Sequence, residues 1–142
     1  MDKPEIDKPE MDKPPVDPPA EARPFWEGCT RGELLYQRCA GCGRVQFYPR
    51  AACTGCGATA LEWHRSAGFG TIHTFTIVRR APSAAFRSNL PYVLALVDMD
   101  EGFRMMLNLR RSDPESAHIG QRVTIVFEPQ PRGWTLPQAV PA

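Results

Sequence analysis

The chain has 142 residues, 15 of them proline and 11 glycine, and a formal net charge of +1. That length bounds it to one ordinary domain or two very small ones. No stretch approaches the apolar length of a membrane span and no signal peptide is expected, so the composition points to a reduced, cytoplasmic setting without membrane association.

Charge is unevenly placed. Residues 1–22 carry seven acids against three lysines, a net of −4, whereas the remainder carries fourteen arginines, no lysine and nine acids, a net of +5. The acidic part is a pentad repeat over residues 2–20: Asp-Lys-Pro-Glu-Ile, Asp-Lys-Pro-Glu-Met, Asp-Lys-Pro-Pro-Val, Asp-Pro-Pro-Ala. Proline at this frequency opposes both helix and sheet, and the apolar residues are too few for a core. The pattern predicts a disordered, partly polyproline-like tail over 1–22.

Pro24 to Arg31 reads as one short helix. Pro24 suits its first turn, Glu27 its positive end, and Gly32 its stop. Phe25, Trp26 and Cys29 lie on neighbouring faces at helical spacing. Cys29 has no partner pair and no base nearby, so it is expected to be a small buried residue. Leu34 to Arg38 then reads as a strand.

The next stretch organises the chain. Cys39-Ala40-Gly41-Cys42 and Cys53-Thr54-Gly55-Cys56 are two C-x-x-C pairs ten residues apart, the spacing of a four-cysteine zinc site. Each pair is followed by glycine, Gly43 and Gly57, which can take the positive φ that a zinc knuckle needs. Arg44 to Arg50 between them reads as a short strand and turn. One structural zinc on Cys39, Cys42, Cys53 and Cys56 is predicted, in a rubredoxin-like ribbon spanning, with the helix, residues 23–60. Four thiolates leave no open coordination position, so this metal holds structure and activates nothing. With zinc bound, the part after residue 22 falls to about +3, which permits phosphate contacts without demanding nucleic acid.

From Leu61 the grammar changes to strands, and residues 61–142 are read as one mainly β unit. Leu61–Arg65 is a short piece. Gly70–Val78 is rich in β-branched and aromatic residues. Pro82–Asn89 is a polar loop, and Pro91–Asp98 is a nearly continuous apolar run. Asp98–Gly102 is a turn from which Arg104–Leu109 returns. Arg110–Ala117 is polar, Gln121–Phe127 is another strand, and Trp134–Pro137 is the last. Five strands with one long loop and one crossing segment fit a closed barrel of the OB type, though periodicity alone equally allows another small barrel or a sandwich.

Taken in this order, the series resembles a known family. The similar segments are Pro24-Phe25-Trp26-Glu27-Gly28, Gly32 to Cys39, Phe47-Tyr48-Pro49-Arg50, Gly70 to Thr76, Pro91-Tyr92-Val93, Asp100-Glu101-Gly102 and Ile119 to Val123. Together they are similar to the zinc-ribbon plus OB-fold proteins associated with acyl-CoA metabolism, long known only as a domain of unknown function. The resemblance covers roughly residues 24–128 and excludes the pentad tail. It implies a five-stranded OB barrel after the ribbon. It further implies a non-catalytic accessory subunit that binds a thiolase-like enzyme (a thiolase, an acyltransferase or a retro-aldolase). In that arrangement the helix and ribbon supply docking surface and the barrel lies near the acyl-CoA site.

Several side chains are candidates for more. Arg79 and Arg80, at a strand end, suit the phosphates of CoA, since arginine forks match phosphate; Arg110 and Arg111 have the same ambiguity between ligand and solvated strand end. Asp98, Asp100 and Glu101 mimic a carboxylate pair but lie in a hairpin turn, where such residues are expected; Arg104 is expected to pair with that turn. His64, His73 and His118 have no metal spacing. No nucleophile–base set appears, and no catalytic residue is assigned. The rival reading is a single-stranded nucleic-acid binder, with Phe69, His73 and Phe75 as a stacking platform; the modest charge and dispersed arginines count against it. A stand-alone acyl-CoA carrier is the third.

Overall fold

The computed structural model describes residues 16–131 and 133–142. The pentad repeats therefore fall mostly outside the described residues. The end of the predicted tail is structured: Ala20–Ala22 form a 3-10 turn closed by Ala22 N–H to Pro19 O, because Ala22 is buried at the start of the helix.

Helix α1 (Arg23–Thr30) carries Pro24 in its first turn and buries Phe25, Gly28 and Cys29. The helix ends in a Schellman motif: Gly32, at φ 77, donates to Cys29 O and Glu33 donates to Gly28 O. Chain reversal there lets β1 (Leu35–Cys39) run back past the helix. Strand β1 pairs antiparallel with β2 (Val45–Gln46) on one side and with β3 (Leu61–Arg65) on the other, in the order β2-β1-β3. Leu61–Arg65 therefore completes the ribbon sheet; the barrel's own strands begin at Phe69.

The barrel is closed in the order β4-β5-β6-β8-β7, from β4 (Phe69–Val78), β5 (Tyr92–Met99), β6 (Arg104–Leu109), β7 (Arg122–Glu128) and β8 (Leu136–Pro141). Every neighbouring pair is antiparallel except β6 and β8, which run parallel through Leu109 and Ala139. This is the five-stranded OB topology. The last strand reaches Pro141, beyond the expected Pro137.

Inward faces follow the period of two. Val93, Ala95, Val97 and Met99 are buried along β5, and Met105, Leu107 and Leu109 along β6. Strand β4 breaks this rhythm. A bulge between Ile72 and Thr74 leaves His73 unpaired, so the inward set shifts from Ile72 to Phe75 and Ile77. One extra residue thus keeps both halves of a long strand facing the core.

Ribbon and barrel share that core: Phe25, Cys29 and Leu34 belong to the same cluster as Val97, Phe103 and Val123. An aromatic chain crosses the joint. Phe103, which follows the β5–β6 turn, stacks on Tyr36 at 4.9 Å between ring centres and meets Phe47 at 5.5 Å. Phe47 in turn meets Phe25 at 5.1 Å, and Phe25 meets Trp26 edge-on at 5.0 Å. Offset and edge-on pairs at these distances add to simple area burial. Glu101 pins the linker between β3 and β4, accepting from Ser66 Oγ and Ala67 N–H at 2.8 Å each. Tyr48 Oη accepts from Met106 N–H at 3.1 Å, tying the ribbon to strand β6.

Candidate metal centre and apolar groove

The two knuckles are the same turn used twice. In each, the first cysteine's N–H bonds the carbonyl five residues on, and its carbonyl accepts from the glycine four residues on. Cys39 N–H reaches Arg44 O and Gly43 N–H reaches Cys39 O; Cys53 N–H reaches Ala58 O and Gly57 N–H reaches Cys53 O. Gly43 and Gly57 sit at φ 78 and 79, the left-handed conformation expected of them. Backbone N–H groups point at the sulfurs: Cys42 donates to Cys39 Sγ at 3.4 Å, and Gly55 and Cys56 donate to Cys53 Sγ at 3.3 and 3.5 Å.

All four sulfurs lie within 4.8 Å of one another, with Cys39–Cys56 and Cys42–Cys53 at 3.6 Å. Tetrahedral zinc with thiolate ligands needs sulfurs roughly 3.8 Å apart, so the cluster fits one zinc ion. The amides of Cys56 and Gly55 draw Cys53 down to about 6, and the amide of Cys42 lowers Cys39. These donors favour the thiolates that zinc requires. Cys29 is the contrast: fully buried, its thiol is pushed up to about 12 by desolvation, which fits an inert core residue.

Two buried glutamines hold the loop that carries the second knuckle, and nothing in the sequence reading assigned them this role. Gln37 Oε1 accepts from Arg50 N–H at 2.9 Å and Gln37 Nε2 donates to Arg50 O at 2.9 Å, so the side-chain amide pairs with one backbone residue as a strand would. Gln46 Nε2 donates to Gln37 Oε1 at 2.8 Å, and Gln46 Oε1 accepts from Thr54 N–H at 2.9 Å. Gln37 in β1 and Gln46 in the two-residue β2 carry no local sign of burial; only their meeting across the two strands reveals the network.

The other sequence candidates disperse. Arg79 ion-pairs with Glu115 at the exposed end of β4, and Arg80 beside it has no ion-pair partner among the described residues. Arg110 pairs with Glu128 at 3.5 Å, and Arg111 adopts a positive φ of 55. Each acid of the turn region is held by a structural contact. Asp98 accepts from Arg104 at 2.6 Å, as expected. Asp100 takes a two-pronged contact from Arg122 at 2.8 and 2.9 Å, which holds its carboxyl below the usual range, and Glu101 pins the linker. His64 contacts Glu62, His73 contacts Asp98, and His118 Nδ1 contacts Ser116 O. Among the described residues, the four cysteines are the one group of His, Cys, Asp and Glu placed to hold a metal. The bulge also separates the aromatic trio: Phe75 packs on the core, whereas Phe69 and His73 are exposed.

An apolar groove of ≈ 570 Å³ runs between the three parts of the molecule. Phe25 and Trp26 of α1, the segment Phe47–Arg50, Phe86 of the β4–β5 loop, and Leu94, Met106 and Leu107 of β5 and β6 line it. Met106 is 52% exposed and Tyr48 48%, two large apolar side chains side by side in one concavity. Exposed apolar surface gathered in this way marks an interaction site. In other OB barrels the ligand-binding face lies on strands two and three, which correspond here to β5 and β6. No helix among the described residues is long and apolar enough to cross a membrane.

Comparison with known proteins supplies the family. Residues 26–62 match the ChsH2 rubredoxin-like zinc ribbon domain and residues 63–128 the ChsH2 C-terminal OB-fold domain. A DUF35 domain-containing scaffold protein of Methanothermobacter thermautotrophicus is 35% identical over 98 residues, which is 68% of this chain and 73% of that protein. A probable enoyl-CoA hydratase alpha subunit of Thermomonospora curvata is 33% identical over 119 residues; these are 83% of this chain but 37% of that longer protein. Among solved structures, the Ltp2-ChsH2(DUF35) aldolase contains a chain that superimposes with a TM-score of 0.79 at 29% identity, covering 91% of this chain and 98% of that one. The chain belongs to the family of DUF35 domain-containing scaffold proteins, built from a ChsH2-type zinc ribbon and OB-fold.

Proposed function

We propose that this chain is a non-catalytic accessory subunit that docks on a thiolase-like enzyme and helps to form that enzyme's acyl-CoA site. The observation that carries the reading is the correspondence, over 91% of this chain, with a chain of the Ltp2-ChsH2(DUF35) aldolase. The chemistry within the chain agrees with it. The four-cysteine cluster is closed, the turn acids are held by Arg104, Arg122 and the linker, and Cys29 is buried and protonated. The zinc ribbon keeps α1 and the segment Phe47–Arg50 rigid, and these with the barrel present the apolar groove to a partner. Arg79 and Arg80 are assigned as contacts to the CoA phosphates within that complex.

The test is capture of the tagged full chain from its source cells, with mass spectrometry of the bound proteins and a nuclease-sensitive absorbance measurement. Recovery of a thiolase-fold enzyme in stoichiometric amount supports the reading. Recovery of nucleic acid without such an enzyme overturns it in favour of a single-stranded nucleic-acid binder.

A further inference from the structure

The pentad repeat over residues 2–20 takes no part in the function proposed above, and the matched family domains begin only at residue 26. Yet the repeat enters the structure at the apolar groove. At its described end, Val16 and Pro18 are half-buried and Pro19 lines the groove. Val16 holds the same place in its pentad as Ile6 and Met11 do in theirs, two residues after a proline. The chain upstream therefore repeats, twice over, the pattern that already reaches the groove.

The groove suits such a segment. Trp26, Phe47 and Tyr48 line it with aromatic rings, beside the half-exposed Met106. Aromatic grooves take proline-rich segments because an extended proline-rich chain has little conformational freedom left to lose. Charge agrees with shape. Arg50 is the one charged residue in the lining; it donates to the carbonyls of Pro49 and Tyr48 at 3.2 and 3.5 Å and has no carboxylate partner among the described residues. In the repeat, acids flank each apolar residue: Glu5 and Asp7 beside Ile6, Glu10 and Asp12 beside Met11. Reach is sufficient, since an extended pentad spans about 15 Å. Tethering gives an effective concentration on the order of 1 mM, so a segment with an intrinsic Kd of about 0.1 mM is docked about nine-tenths of the time.

We propose that the groove takes the chain's own N-terminal repeat, with Ile6 or Met11 against Tyr48 and Met106 and the flanking acids toward Arg50, and that the partner enzyme must displace it. The contact is a property of this chain alone; the competition rests on the function proposed above. At the stated occupancy the partner's apparent affinity falls about tenfold.

The experiment uses the zinc-loaded full chain. A photo-crosslinking residue in place of Met11 is activated and its products mapped by mass spectrometry. In parallel, the Trp26 indole and Met106 methyl resonances are followed in wild type, in Ile6→Ser with Met11→Ser, and in the same chain with Glu5→Gln, Asp7→Asn, Glu10→Gln and Asp12→Asn; the Trp63 indole, outside the lining, is the control. These substitutions lie outside the buried core, and zinc content with melting temperature establishes folding. Crosslinks are expected within one chain, at the segment Phe47–Arg50 or at Met105–Asn108. Both tail variants are expected to shift the Trp26 and Met106 signals and leave Trp63 in place. Crosslinks scattered over the surface, groove signals indifferent to the tail, or crosslinks only between chains overturn the proposal, the last in favour of a second copy as occupant. Capture of the partner enzyme by the Ile6→Ser, Met11→Ser chain is expected to tighten by about threefold to tenfold. Unchanged or weaker capture, with the crosslink intact, overturns the competition. A groove crosslink in a chain that captures no thiolase-fold enzyme overturns the function proposed above and leaves the tail contact standing.

Discussion

Replacing Phe103 by alanine tests how ribbon and barrel are joined. The ring is 4% exposed, stacks on Tyr36 of β1 and meets Phe47, from the segment between the knuckles, at a tilt. Truncation removes a whole aromatic side chain from a site bounded by three structural parts, which cannot all collapse into the gap. Such changes cost about 3–5 kcal/mol, cavity included. For the 126 described residues the unfolding entropy is roughly 0.26 kcal/mol per degree. The melting temperature should therefore fall by about 11–19 °C. Differential scanning calorimetry of wild type, Phe103→Ala and Phe103→Leu measures this. Leucine keeps most of the volume but loses both aromatic pairs, each worth about 0.5–1.5 kcal/mol, so it should recover roughly half of the loss. A Phe103→Ala protein that melts within about 3 °C of wild type would refute the aromatic chain as the joint, because the stated burial could not then be contributing at the ordinary scale.

Four further outcomes follow from named contacts. Cys39→Ser or Cys56→Ser should abolish zinc binding, unfold the ribbon and prevent capture of the partner, whereas Cys29→Ala should keep one zinc per chain; a zinc-free double variant that still forms the complex would contradict this. Chelation should release one zinc, and retention should weaken as pH falls, because each ligand must give up its proton to bind metal; a metal-release assay across pH reads the sign directly. Gln37→Leu leaves both polar groups of Arg50 and part of Gln46 without partners, at about 1–3 kcal/mol for each buried group that stays unpaired, so the amides of Arg50 and Thr54 should exchange hydrogen faster than wild type. Glu101→Ala removes two bonds to a carboxylate, each worth roughly 1.5–3 kcal/mol, and urea unfolding should register the loss together with faster exchange at Ala67.

The parts legible in the sequence are those with local causes. Paired cysteines followed by glycine specify a knuckle because spacing and positive φ are properties of a few consecutive residues. Helix α1 declares itself through Pro24 and Gly32, and β5 through its apolar run. What escaped depends on residues far apart. Leu61–Arg65 reads the same whether it pairs with β1 or enters the barrel, and only the pairing of Cys39 with Leu61 decides. The bulge at His73 inverts the face of Phe75, so a pattern that suggests an aromatic platform yields a core residue instead. The last strand reads from sequence as Trp134–Pro137, but it runs over Leu136–Pro141, because β7 supplies pairing partners as far as Pro141. The buried role of Gln37 and Gln46 is invisible for a similar reason: an amide that satisfies a backbone residue thirteen positions away has no local signature. The groove likewise exists only when α1, the ribbon and two barrel strands are brought together.

The most direct test of the accessory role is turnover of acyl-CoA by the captured enzyme, assayed with this chain present, removed and added back, beside the chain alone. The account predicts that the chain alone is inactive and that removing it raises KM for acyl-CoA or abolishes activity, with recovery on re-addition. Turnover by the chain alone, or an enzyme indifferent to its presence, would contradict it.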